Sequence, residues 1–136
     1  MGAQDKNILV VGATNMFDSL DPAVIDRIKF SAYVGLPKEE EIEKLLAKEF
    51  GRYKMGKNLA DNEEELKKIS RKLVGYSPRS IVNMVSQAFE YAWEESRQVT
   101  RADIEKALID GNYEKINEED YMPKSRKRPI QIGIKY

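Results

Sequence analysis

Apolar residues recur along this chain with three different rhythms. Residues 7–12, "NILVVG", form an unbroken apolar run rich in Val, Ile and Leu. That is how a strand covered on both faces reads, as in a parallel sheet flanked by helices. Residues 30–37, "FSAYVGLP", instead alternate with period two and stop at a proline, which predicts a second strand. Between them "DPAVIDRI" places Asp21 at the N-cap and Pro22 at the first position of a short helix.

From Lys38 the spacing becomes three and four. "EEEIEKLLAKEF" sets Ile42, Leu45, Leu46 and Phe50 on one stripe behind an acidic first turn, as the helix dipole favours. Gly51 and Gly56 bracket a loop. "DNEEELKKISRKLV" follows, with Asp61 three residues before Glu64 as a capping pair and Leu66, Ile69, Leu73 and Val74 as its stripe. Gly75 closes it as a C′ glycine. Ser77 and Pro78 open a third helix whose stripe reads Ile81, Val82, Val85, Ala88, Phe89, Ala92 and Trp93. Thr100 caps a fourth, "RADIEKALI", with Asp103 at N3. Four helices with short connections predict a small bundle. After Gly111 the pattern fades into a polar, proline-punctuated linker or peripheral strap, and "IQIGIKY" alternates again as an edge strand would.

Composition narrows the chemistry. The 136 residues suit one domain, or a domain and part of another, and 41% hydrophobic content supports a modest core. Lys plus Arg and Asp plus Glu balance at 23 each, so charge gives no argument for a nucleic acid or membrane partner. The chain has neither cysteine nor histidine, which removes disulfides, thiolate metal sites and the usual general base; no metal ligands are assigned. No apolar run nears the roughly 18 residues that cross a bilayer. The start lacks a secretory pattern, so a soluble cytoplasmic protein is expected.

Burying a strand does not explain why the first one ends on Thr14 and Asn15, a polar pair that is costly to hide without partners. Two strands are also too few for a parallel sheet, so the first third reads as the end of a larger α/β domain. "VVGATNMFDSLDPAVIDR" (10–27) resembles the second region of homology of the AAA ATPases, where a strand ends in Ala-Thr-Asn before an acidic turn and an arginine-bearing helix. "YVGLP" resembles that family's last core strand. "LADNEEELKKISRKLVGYSPRSIVNMVSQAFEYA" followed by "QVTRADIEKAL" resembles its helical lid. The resemblance spans about residues 7–110, with several motifs in order. It implies an α/β fragment, the last strands of a parallel sheet, followed by an all-α four-helix lid: part of a P-loop NTPase of the AAA fold. Residues 1–37 would end the α/β core, 38–111 form the lid and 112–136 a tail.

The resemblance also assigns roles. Asn15 falls on sensor 1, where a carboxamide can hold the attacking water and contact the γ-phosphate beside Thr14; alternatively, both residues cap the turn before Asp18. Arg27 falls on an arginine finger, reaching the nucleotide of the neighbouring subunit. Relatives often carry two arginines in this helix, whereas Asp26 precedes a single Arg27 here; a surface arginine paired with Asp26 or Asp21 is the other reading. Arg79, at N2 of its helix, matches a sensor 2 arginine of the wider AAA+ group, although many of the narrower branch lack it; a solvated first-turn arginine is equally compatible. ATP and magnesium follow for the parent protein, as do a hexameric ring of identical subunits and a protein substrate to remodel or unfold.

The cradle for ATP is absent from the sequence. "GRYKMGKN" (51–58) is one residue short of a phosphate loop, follows a helix rather than a strand, and carries Asn58 where the magnesium-binding hydroxyl belongs. No apolar strand ends in paired acidic residues. The chain alone is therefore expected to bind no nucleotide cofactor and to be inactive. "KSRKRP" (124–129) is basic enough to touch nucleic acid, but a solvated linker between neutral segments suits it better. A non-enzymatic helical interaction module, with "IQIGIKY" adding a strand to another chain, is the alternative reading. Strands stripped of their neighbours present bare edges, so self-association is expected.

Overall fold

The computed structural model describes residues 8–120, residue 122 and the backbone of 130–132. The basic cluster at 124–129 and residues 133–136 of the predicted edge strand lie outside these described residues.

Most of the described chain is helical. A 3-10 turn, Phe17–Ser19, precedes α1 (Pro22–Arg27); β1 (Ala32–Val34) leads into α2 (Glu39–Phe50). A second 3-10 turn, Lys54–Gly56, runs into α3 (Lys57–Ala60), followed by α4 (Glu63–Leu73), α5 (Pro78–Glu94) and α6 (Arg101–Asp110). A last 3-10 turn, Glu118–Asp120, precedes β2 (Ile130–Ile132).

The bundle forms where the spacing predicts it. Ile42, Leu45, Leu46 and Phe50 of α2 are all buried, against Leu66, Ile69 and Leu73 of α4 and Ile81, Val85, Ala88 and Ala92 of α5. Ile104 and Ala107 of α6 close the core from the far side of α5. Each large aliphatic side chain withdrawn from water contributes roughly 1.5–3 kcal/mol, so this stripe system supplies most of the driving force. The helix ends match their signals. Glu41 reaches back to accept the Lys38 N–H at 2.8 Å, the Ser77 hydroxyl accepts from Ser80 N–H at 3.1 Å, and Gly75 adopts φ +95°, the left-handed turn that favours glycine.

Several expectations are corrected. Residues 8–12 form no strand, and Ile8, Leu9, Val10 and Val11 stand 69–86% exposed. An apolar strand needs partners for its backbone, and no described strand lies beside it. The strand expected at 7–12 is therefore absent, and the one expected at 30–37 is short. β1 covers only three residues and pairs, in parallel, with β2 of the tail: Ala32 with Ile130, Tyr33 with Gln131, Val34 with Ile132. The loop between Gly51 and Gly56 continues into the extra helix α3, whose Leu59 is buried. Because Asp61 ends α3, the cap of α4 shifts by one residue, and Asn62 Oδ1 accepts the Glu65 N–H at 3.2 Å. Val74 falls past the end of α4 and is 43% exposed. In α5 Trp93 is 74% exposed, while Met84, outside the expected stripe, is fully buried.

Candidate functional site

The segment that carries Thr14, Asn15 and Arg27 is shaped by local hydrogen bonds. Thr14 Oγ1 accepts the Met16 N–H at 3.0 Å, which bends the chain at Asn15 and starts the turn at Phe17. The Asn15 side chain is exposed. Leu20 then leads to Asp21, whose Oδ1 accepts the Ala23 N–H at 2.7 Å, and Pro22 fixes the first helical position. Arg27 is the last residue of α1 and is exposed, a cation at the negative end of the helix.

Arg79 stands elsewhere. Gly75 turns the chain out of α4, Ser77 caps α5 through Ser80, and Arg79 follows Pro78 in the first turn with its side chain exposed. The unsatisfied amides of a 17-residue helix point the same way, so this end favours anions. Lys115 approaches the same turn: its Nζ lies 5.7 Å from the centroid of the Tyr76 ring, and its methylenes pack at Gly75. No spacing pattern signals Lys115, because it arrives from the far side of α6. Asn15 lies in the bend before the first 3-10 turn, Arg27 at the end of α1 and Arg79 in the first turn of α5, and no hydrogen bond or ion pair links any two of them.

The near phosphate loop at 51–58 has a packing role. A Cβ on Gly56 would fall 2.4 Å from the Phe50 carbonyl oxygen and 2.7 Å from Cζ of Phe89. Phe89 in turn meets Phe50 and Tyr53 edge-on, with ring centroids 6.0 and 5.1 Å away. Asn58 Nδ2 donates to the Val99 carbonyl at 3.0 Å, and Val99 N–H donates to the Met55 carbonyl at 2.9 Å. The glycine and the amide hold α2 and α3 to the segment before α6, and the loop follows the helix α2 rather than the strand that a phosphate cradle requires.

These residues fit only part of an ATP site. Asn15 and Arg79 offer donors to phosphate oxygens, but among the described residues no cluster of three or more carboxylates could hold magnesium.

Similarity to known proteins decides the family. Over 84 residues, 62% of this chain, it is 40% identical to spastin of Xenopus tropicalis. Over 111 residues, 77% of this chain, it is 35% identical to the ATP-dependent zinc metalloprotease FtsH of Mesomycoplasma conjunctivae. Both relatives are AAA ATPases. The chain belongs to the AAA ATPases, as a C-terminal portion of the module. It matches spastin of Danio rerio as well, at 33% identity over 84 residues. No protein-family profile matches this AAA chain. It spans only 13–14% of the length of these relatives. The zinc chemistry in the name of FtsH has no counterpart here, since this AAA portion has neither histidine nor cysteine. No described helix is long and apolar enough to cross a membrane.

Proposed function

We propose that this chain supplies the sensor, finger and lid parts of a AAA ATPase whose hexameric ring couples ATP binding and hydrolysis to the remodelling or unfolding of a protein substrate. The similarity to AAA ATPases over 77% of the chain carries this reading, and the geometry supports it. Asn15 acts as sensor 1: its carboxamide donates to the γ-phosphate and accepts from the attacking water. Arg27, exposed at the end of a short capped helix, reaches across the subunit boundary to neutralise charge in the transition state. Arg79 contacts phosphate from the N-terminus of α5 as sensor 2. Residues 38–111 act as the lid, with a core of their own that lets them move as one body. The phosphate loop and the magnesium-binding carboxylates come from outside residues 1–136, so this chain in isolation is inactive.

Subunit mixing in the intact protein that contains these residues tests the arrangement. Arg27→Ala alone and Asn15→Ala alone each lower the rate of phosphate release, the former by roughly a thousand-fold or more. When the two variants are mixed, some interfaces combine an intact Asn15 with an intact Arg27 from the neighbour, and activity partly returns. Failure of the mixture to recover rules out a finger acting in trans, and unchanged rates in both single variants overturn the ATPase assignment of these residues. Arg79→Ala raises KM for ATP more than it lowers kcat.

A further inference from the structure

The C-terminal segment returns from α6 to β1 and makes contact at both ends of its path. On the bundle side Tyr113 packs against the hydrophobic core, its ring edge 2.0 Å from where a Cβ on Gly111 would stand, so only glycine lets the chain fold under the ring. Farther on, the Ile116 N–H donates to the Gly75 carbonyl at 2.8 Å, in the turn between α4 and α5. On the strand side the Glu118 carboxylate accepts the Leu36 N–H. β2 then pairs with all three residues of β1. Burial first, and the Glu118 charge second, push the Tyr33 hydroxyl above its usual value.

These contacts straddle residues 35–38, the direct chain link between β1 and α2. One short link leaves the bundle free to rotate about it; a second crossing held at both ends closes a loop and removes that freedom. Contacts within one chain also form at high effective concentration, so several modest ones add to a strong restraint. A carboxylate on a backbone amide is among the stronger of such contacts. β2 meanwhile covers one edge of β1 and closes it to strand addition by another chain.

We propose that residues 112–120 together with β2 form an intramolecular clasp that locks the helical bundle to β1, and that the bundle swings about residues 35–38 only when Glu118 and β2 release. The clasp is defined on this chain alone and does not depend on the ATPase reading.

Amide hydrogen exchange on the complete chain tests it, because a clasp transmits a change at one end to the other. Tyr113→Ala loosens the bundle end, Ile116→Pro deletes the N–H donated to Gly75 without touching the core, and Glu118→Ala releases Leu36. Each variant is expected to speed exchange at 32–36 by about tenfold, with the core amides of α2 and α5 unchanged as the control for folding. If Tyr113→Ala loosens those core amides, Ile116→Pro decides alone. Faster exchange confined to 113–118, with 32–36 unaffected, means a strap lying on the surface and overturns the clasp. Protection of 32–36 that rises with protein concentration means pairing between chains and overturns it too.

Discussion

Asp103 shows what a single residue does in this fold. It is 3% exposed, and Arg97 clamps it with Nη1 and Nη2 each donating over 2.7 Å. The Thr100 N–H and hydroxyl add bonds of 2.8 and 3.0 Å. The Arg97 hydrogen bonds hold the Asp103 carboxyl below its ordinary value; burial opposes them, and Thr100 adds to the lowering. The same contacts, with Glu95 second, raise the Arg97 guanidinium. A depressed carboxyl contributes stability that is complete above its unfolded value near 4 and is lost as pH falls through the folded value. Asp103→Asn is therefore expected to cost about 1–2 kcal/mol at pH 7, toward the low side because Arg97 keeps 35% of its side chain in water. Urea denaturation at pH 7 and below pH 4 checks this: the gap between the two proteins narrows in acid. Thr100 and Asp103 are legible as a capping pair from their spacing, whereas Arg97, six residues before Asp103, follows no helical rule. Gly56 is a second case. Gly56→Ala is expected to lose about 1–3 kcal/mol through overpacking against Phe50 and Phe89, seen as a lower melting temperature whether or not nucleotide is present. An unchanged melting temperature refutes the packing role.

At the scale of elements, periodicity decides which face is apolar but not where that face stops. On α5 the stripe of Ile81, Val85, Ala88 and Ala92 advances in steps of four and three, and Met84 lies within the same arc. Trp93, twelve positions after Ile81, has turned roughly 120° away and emerges into solvent. Met84→Ala is expected to destabilise the bundle by about 3 kcal/mol, while Trp93→Ser changes stability by less than about 0.5 kcal/mol. Thermal melts of the two variants test this ordering, and a larger loss at Trp93 refutes it. The helix caps are similarly legible except where elements crowd. Asp61 and Asn62 are both good caps, and only the presence of α3, which ends on Asp61, hands α4 to Asn62. α3 has four residues, too few for a periodic signal.

For the whole molecule, the balance between bundle and strands is uneven. The bundle has a complete core; the segment before α1 exposes four consecutive apolar side chains. Such a patch favours association. Light scattering is expected to show an average mass that rises with concentration, and Leu9→Lys with Val11→Lys should bring it down toward one chain. A single-chain mass at every concentration contradicts the expectation. β1 behaves differently from residues 8–11 because its edge is taken by β2, which lies about a hundred residues later in the chain.

The sequence by itself determined the features that depend on near neighbours. These are the four long helices, the stripe of α2, the Leu66, Ile69 and Leu73 stripe of α4, the caps at Asp21, Ser77 and Thr100, the glycine turn at Gly75, and the motif order that pointed to the AAA family. Each follows from spacing of three or four residues or from the φ of one residue, and the chain carries that information locally. Tertiary structure alone decided the pairing of β1 with the tail, the Arg97–Asp103 clamp, and the packing that makes Gly56 a structural glycine. Asn15, Arg27 and Arg79 were legible as candidates by motif. That no hydrogen bond or ion pair joins them was not, because distance in space is set by packing between segments rather than by spacing within them.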